Sequence, residues 1–382
     1  MNMQRTIWYA ALIALNVQAF AETQPAEEQL SEDQPSLDAR QGIAPDIRED
    51  DATLRFQRGD FVLVPIPISN PTLDTGLVLG GAYFYGQTEG QKLVQPASVT
   101  AGAGMYTSND SRAAGLVQQN YWGQDKWRFT GAAGAANLKL TLLTADETSG
   151  EQSVDWRING SFLFAKLSRK LAGDWYGGFN MRMIDAEQSI ETDASTPDFD
   201  SGADVLSSGL GVTLEHDSRD MPINSYAGRY LKLEGLFNDE AIGSDKTYQS
   251  YSLVFRSYHA LSESVVLAWE AQACTRGGTA PLWDACRIHL RGFSTTDYLG
   301  KDSASTQAEA RWQLNKRWGL ASFAGVGFVG NSANGIRENE PIPSYGAGLR
   351  FMVLPAKRIN LRVDFAWSED SDAVHVSVGE AF

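Results

Sequence analysis

The sequence predicts an all-β fold, a transmembrane antiparallel β-barrel of about sixteen strands, an even number as single-chain bacterial barrels require. Three observations lead there. From Phe56 to Phe382 apolar and polar residues alternate with period two, the mark of strands whose two faces meet unlike surroundings. Many of these segments reach the roughly 9 to 11 residues that a tilted strand needs to cross a bilayer. Connections alternate in length: Asn315-Lys316-Arg317 and Pro355-Ala356-Lys357 are tight, whereas the stretch after Gly330 and that from Asp185 to Asp204 are extended. Short turns on one side of a membrane and long loops on the other give that rhythm. A soluble β-sandwich also alternates, so period alone leaves two architectures open; segment length and connection rhythm favour the barrel. The mean hydropathy of -0.28 is no objection, because the inward face of such a barrel is polar.

The elements follow in chain order. Arg5 precedes the apolar run from Ile7 to Leu15, and Ala19-Phe20-Ala21 supplies the small-x-small pattern of a cleavage site, so residues 1–21 are expected to be a cleaved signal peptide. The run is short for a membrane anchor, no later segment approaches roughly 18 uninterrupted apolar residues, and no Cys follows that could carry a lipid. Between Glu22 and Asp51 ten carboxylates face only Arg40 and Arg48, a net of -8 within the chain total of -15. Such a stretch repels itself and has little to bury, so 22–55 reads as an acidic, disordered periplasmic linker. The barrel is expected over 56–382. Strands are placed near 61–69, 74–86, 94–106, 110–122, 126–142, 154–169, 173–186, 204–217, 227–237, 248–260, 264–277, 303–314, 318–330, 343–353, 359–368 and 373–382. Trp156-Ile158-Phe162-Phe164, Trp175-Phe179-Met181-Met183, Leu206-Leu210-Val212-Leu214 and Leu231-Leu233-Phe237 are read as lipid-facing sets. The last strand is expected to run to Phe382, closing the sheet without a tail and ending on a C-terminal barrel signal.

Composition limits the partners. With 32 Lys plus Arg against 47 Asp plus Glu, no large phosphate-binding surface is available and nucleic acid is excluded as a partner class. Cys274 and Cys286 flank a loop-like stretch, and in an exported protein a disulfide is the expected state. A metal pair would need more ligands than the single nearby His289, so neither metal nor other cofactor is expected.

Three places carry more than barrel physics. Arg291-Gly292-Phe293 lies in the longest connection, between Cys274 and the strand beginning near Ser303. That strand puts Ala308, Ala310, Trp312 and Leu314 outside, so Glu309, Arg311 and Gln313 face the lumen, where Glu309 could receive a folded-in Arg291 as a bidentate pair. His216-Asp217-Ser218-Arg219-Asp220-Met221-Pro222 ends one strand and Gly228 opens the next. Adjacent strand residues point to opposite faces, so no catalytic relay forms there, and a charged, hydrogen-bonded periplasmic turn is the reading. Pro65 and Pro67 stand two apart in the first strand and remove two N–H donors from one edge. If that edge meets the last strand, the closing seam is weakly bonded; the prolines could equally face the other neighbour or shape the strand entrance.

Together these residues resemble the Omp85 superfamily of bacterial surface-antigen barrels, of the BamA and TamA kind. The resemblance rests on Arg291-Gly292-Phe293, Glu309, the turn Asp217-Ser218-Arg219-Asp220-Met221-Pro222 with Gly228, Pro65 and Pro67 followed by Thr75-Gly76, and Phe382. It implies a sixteen-stranded outer-membrane barrel of a Gram-negative bacterium, the loop motif folded into the lumen, and a lateral gate between first and last strands. It also implies work in outer-membrane biogenesis, inserting or translocating protein or lipid, with membrane lipid as surroundings and polypeptides or lipids as clients. The chain looks like a short member lacking the periplasmic POTRA domains, which leaves open whether copies pair or a periplasmic accessory protein takes part. Where the family often carries an Asp, this chain has Gly325, so Glu309 is the one acidic partner carried over for Arg291. A passive pore or structural surface-exposed barrel is the alternative. No enzyme is expected: His216, His259, His289 and His375 have no nucleophile in register.

Overall fold

The computed structural model describes residues 60–382 apart from 93, 147–149, 191–203, 223, 334–336, 356–357 and 370. The expected signal peptide and acidic linker lie outside the described residues. The first half of the wall is built from β1 (Asp60–Asn70), β2 (Asp74–Phe84), β3 (Val99–Thr107), β4 (Arg112–Trp122), β5 (Trp127–Asp146), β6 (Gly150–Ala172), β7 (Trp175–Ile190) and β8 (Asp204–Asp217). The second half adds β9 (Gly228–Asn238), β10 (Tyr248–Ser262), β11 (Val265–Gly278), β13 (Leu299–Gln313), β14 (Trp318–Ser332), β15 (Ile342–Leu354), β16 (Ile359–Ser368) and β17 (Asp372–Val378). β12 (Cys286–Arg287) is a two-residue strand lying inside the β11–β13 loop. All neighbours are antiparallel, and β1 meets β17, so sixteen strands form the wall of a closed barrel. No described helix is long and apolar enough to span a membrane.

Period two has the expected consequence. Phe61, Leu63, Leu77, Leu79, Phe179, Leu210 and Phe365 stand exposed on the outer face, while Thr130, Asn180, Glu270 and Glu309 are buried on the inner one. Trp122, Trp175, Trp312 and Trp318 collect near one end of the wall and Tyr106, Tyr345 and Trp367 near the other, as membrane interfaces favour.

One of the lipid-facing sets is reversed. Trp156, Ile158 and Phe162 of β6 are buried in the lumen with Leu138, Leu140 and Leu142 of β5, and the outer face of β6 carries Leu163, Leu167 and Leu171 instead. Alternation is present on both readings, but its sense inverts because this half of the lumen is filled by an apolar loop. Strand ends also shift. β3 begins at Val99 rather than near 94, because Tyr85 to Ser98 form a connection with a short helix, α1 (Glu89–Lys92).

The closing seam differs from every other junction. Ser108 donates its N–H to the Thr75 carbonyl on the β3 side, so odd-numbered residues of β2 turn their backbone groups to β3 and even-numbered ones to β1. The β1 partners of the latter are Asn70, Ile68, Ile66 and Val64. Ser69, Pro67 and Pro65 therefore turn toward β17. The ladder there consists of Ser69 with Val376 alone, and its next rungs would set Pro67 against Val378 and Pro65 against Glu380, where no N–H exists to donate. The expected strand to Phe382 is not formed: β17 stops at Val378, Gly379 takes φ +91, and Phe382 is buried inside the barrel against Tyr258 and Ala268. A residue in that conformation leaves the ladder, and glycine adopts it without strain.

Two outcomes follow from this wall. The folded chain should migrate differently in electrophoresis before and after boiling, because a closed sheet satisfies its backbone donors internally; identical migration would contradict a closed barrel. Cys274 and Cys286 are bonded, with Cα atoms 5.7 Å apart, so alkylation without reductant should label neither. Their replacement should cost about 3 kcal/mol at most, the chain-entropy value of a ring this small, without disturbing the strands.

Candidate functional site

The β11–β13 connection, residues 279–298, turns into the lumen and is fastened at two heights. At the upper one, Leu282, Trp283, Ala280 and Ala285 are fully or almost fully buried and pack on Leu138, Leu142, Trp156, Ile184 and Val205. Complete burial of a side chain of this size is worth roughly 1.5 to 3 kcal/mol, so this apolar seat alone would hold the loop inward. Within it Asp284 accepts from Arg182 Nη1 at 3.1 Å, from the Tyr248 hydroxyl at 2.9 Å and from Arg276 Nη2 at 3.4 Å. Burial alone would raise the Asp284 carboxyl; Arg182 and Arg276 outweigh it and hold the group well below the usual carboxylate range. The disulfide and the pairing of Cys286 with Gly300 and Arg287 with Leu299 tie the same stretch to the wall.

Lower down, Gly325 and Gly327 of β14 leave a trough. A Cβ at Gly325 would lie 3.0 Å from Leu290 Cδ2 and one at Gly327 would lie 2.5 Å from Ile288 Cγ2, so the position where an Asp was expected is the floor on which the loop rests. Beyond Leu290, Arg291 Nη1 donates to Glu309 Oε2 at 2.6 Å and to Asp364 Oδ2 at 2.9 Å, and Nη2 donates to Gln307 Oε1 at 3.2 Å. The guanidinium also lies on the Phe323 ring, 3.3 Å from its centroid. The expected pairing is thus corrected: one nitrogen bridges two carboxylates instead of forming a bidentate fork with Glu309, and the second acid is Asp364 on β16. Ser344 donates its hydroxyl to the Arg291 carbonyl. Gly292, at φ +109, is backed against the Trp367 main chain and accepts from the Ser371 hydroxyl at 2.6 Å. Phe293 packs edge-on to Tyr298, 4.9 Å between centroids, in a cluster with Ile288, Leu290, Val329 and Ile342.

The two acids are shared. Arg350 reaches Asp364 Oδ1 at 2.5 Å, Glu309 Oε2 at 3.4 Å and Glu380 Oε2 at 2.8 Å, and Arg311 reaches Glu309 Oε1 at 2.7 Å and the Phe382 carbonyl oxygen at 2.8 Å. Arg362 adds a bond to Asp364 Oδ2 at 3.2 Å. Four guanidiniums and three carboxylates thus form one network across β13, β15, β16, the loop and the segment after β17. Removing one member of such a buried network leaves the others uncompensated, at a cost of about 3 to 5 kcal/mol.

The turn motif and the prolines lie apart from this network. Between β8 and β9, Arg219 bonds both Asp217 oxygens at 2.8 Å, and Asp220 Oδ1 accepts from the N–H groups of Tyr226 and Ala227 at 3.0 and 3.2 Å. Pro222 accepts from Arg219 Nη1 at 3.3 Å. Gly228, at φ +101, has no space for a Cβ, which would lie 2.1 Å from the Ser218 carbonyl oxygen. Asp220 Oδ2 also pairs with Arg358 of the β15–β16 turn at 2.6 Å, and Asn224 bonds the Arg358 carbonyl at 3.2 Å, so this turn reaches across to the last strands. Sequence reasoning missed Asp364, Arg350, Gln307 and Asp284. The first three stand at inward positions of amphipathic strands, a signal that was present; Asp284, in a loop without period, had none.

The Omp85 superfamily domain matches residues 95–382. No curated protein sequence matches the chain. Among solved structures it is similar to BamA from Haemophilus ducreyi lacking POTRA domains 1–3, at 12% identity and a TM-score of 0.57, over 89% of this chain and 76% of that one. It is also similar to CdiB from Acinetobacter baumannii, at 12% identity and 0.55, over 85% of this chain and 60% of that one. CdiB from Escherichia coli gives 12% and 0.54, over 88% and 68%. The likeness at such identities is one of fold. Taken with the closed wall and the family match over most of its length, it places this chain in the Omp85 superfamily of Gram-negative outer-membrane barrels.

Proposed function

We propose that this barrel inserts polypeptide into the outer membrane, or moves polypeptide or lipid across it, without a catalytic step. The β1–β17 seam is where the wall parts, and residues 279–298 are the bolt that keeps the lumen closed. The observation that carries this reading is the contrast in fastening. The seam holds by Ser69 and Val376 alone, while β16 and β17 pair without a break from Leu361–Val378 to Trp367–Asp372. A passive pore has no use for a weakened wall, nor for a lumen filled by a loop fixed at two heights. A conduit that must exclude solutes until a client arrives needs both. Clients are outer-membrane or exported polypeptides, or lipids.

Arg291→Ala tests the bolt. The variant should keep its heat-modifiable wall, because strand closure does not use this pair. It should show larger and noisier conductance in planar bilayers than the wild-type protein, and faster proteolysis near Phe293. Asp364→Asn should act in the same direction but less, since an amide oxygen still accepts one bond from the guanidinium. Unchanged conductance and proteolysis in Arg291→Ala would replace the transport reading by that of a structural barrel. Depletion of the protein should alter the outer-membrane proteome or lipid asymmetry, and the altered class would identify the client.

A further inference from the structure

Residues 292–295 of the loop pass from one side of the seam to the other. On the β16–β17 side Gly292 accepts from the Ser371 hydroxyl at 2.6 Å and points its N–H at His375 Nε2, 3.4 Å away. Its φ of +109 and the Trp367 main chain, 3.1 Å from where a Cβ would stand, leave no room for a side chain, so the loop lies flush on this edge. Further on it is bonded to the β1–β2 turn. Thr72 Oγ1 accepts from the Ser294 hydroxyl and from the Thr295 N–H, both at 3.0 Å, and lies 3.2 Å from the Thr295 hydroxyl. The turn is built to present that oxygen. Asn70 Oδ1 accepts from the N–H groups of Thr72 and Leu73 at 3.1 and 3.0 Å, and Leu73 is 1% exposed in the apolar cluster that also holds Leu282 and Trp283.

The β1–β17 ladder offers the single pair Ser69 and Val376. Continuing that register past Asn70 and His375 brings the β1–β2 turn beside the start of β17, and there the bonds between the two sides run through the loop. Its two ends are fastened unequally. On the β16 side Arg291 meets Glu309 and Asp364; on the β1 side neutral hydroxyls meet Thr72. Bonds between ionised groups are the stronger, so the Thr72 end is the one that lets go. Past the crossing, the Thr296 hydroxyl donates to the Thr141 carbonyl of β5 at 2.6 Å, which leaves the loop attached to the wall when β1 and β2 swing away.

We propose that residues 292–295 are a strap that holds the seam shut, anchored on the β16–β17 side and released at Thr72. When the seam parts, the β1–β2 turn leaves the loop, and the loop stays in the lumen, held by Leu282, Trp283 and the Arg291 network. Parting of the wall and unplugging of the lumen are then two steps, and Thr72 governs the first. The strap rests on the reading that the wall parts at this seam.

Nitroxide labels on Thr75→Cys and Asp372→Cys, exposed positions flanking the seam, report its width by pulsed dipolar spectroscopy of the full chain in nanodiscs. The native cysteines, being bonded, take no label. Thr72→Val keeps the shape of the side chain and removes the acceptor. It should raise the fraction of widened seams about tenfold, the factor that corresponds to about 1.4 kcal/mol, and leave proteolysis near Phe293 at the wild-type rate. Thr72→Ser, which keeps the hydroxyl, should show the wild-type width. Ser371→Ala cuts the other anchor and should widen the seam in the same way; the two together should add nothing to the larger single effect, because both sever one strap. If Thr72→Val does not fold, Ser371→Ala decides alone. Wild-type width in Thr72→Val and Ser371→Ala, widening by Thr72→Ser as large as by Thr72→Val, or proteolysis in Thr72→Val as fast as in Arg291→Ala would each overturn the strap. Arg291→Ala, which loosens the anchor itself, should also widen the seam. If it does and the other two do not, the strap alone has failed; if it too leaves the width unchanged, the seam reading has failed with it.

Discussion

A buried guanidinium needs its counter-charges delivered from several directions, and the Arg291 site is organised around that need. Desolvating a charge costs several kcal/mol even after relaxation, and the attraction of partners repays it only in good geometry. One carboxylate on one strand would leave most of the donors of Arg291 unmet. Glu309 and Gln307 on β13 and Asp364 on β16 meet two of its nitrogens, and Phe323 covers its face. Two acids placed that close repel each other, so Arg350, Arg311 and Arg362 are drawn in behind them. The network is the consequence of burying one loop cation, and it ties the loop to the strands nearest the seam.

Magnitudes separate the roles of the two fastenings. Leu282 and Trp283, each worth roughly 1.5 to 3 kcal/mol on burial, account for the loop being inside at all. Buried ion pairs near break-even against apolar substitutes add little to that total. What they add is register, since an arginine that must meet two acids and a ring has one acceptable position. The apolar part therefore keeps the loop in, and the charged part decides where it stops. A lock that can be released by moving charges is compatible with that division; a lock made of Trp283 alone would not be.

Much of the wall was legible because a barrel strand has only two faces, and period two states both. The positions of β13 to β16 and the outer sets on β7, β8 and β9 needed nothing more. Trp156, Ile158 and Phe162 were misread because alternation does not say which face is wet, and the decision depends on Leu282 and Trp283, more than a hundred residues away. The same limit applies to Gly325. A glycine in a strand reads as a missing Asp when compared with the family, and only the proximity of Leu290 shows it as a floor. Asp364 was visible as an inward carboxylate but unassigned, because the barrel's curvature brings β16 to a loop that follows β11. Local pattern carries strands; closure carries partners.

Closure also explains why the weakness of the seam is tolerable. A barrel whose edge strands meet through Ser69 and Val376 would, in lipid, leave backbone groups of β1 without partners, each at a cost of several kcal/mol. Pro65 and Pro67 reduce that cost at its source by having no N–H to strand, so the edge can be left open without unmet donors at those two positions. The residues they release from the ladder, 379–382, are then free to bury Phe382 and pair Glu380 inside. A seam of ordinary residues would hold the tail on the sheet and leave Arg350 and Arg311 short of a carboxylate. The two prolines on one edge and the charged cluster in the lumen are therefore parts of one solution: the wall is made weak where the lumen has the means to hold it.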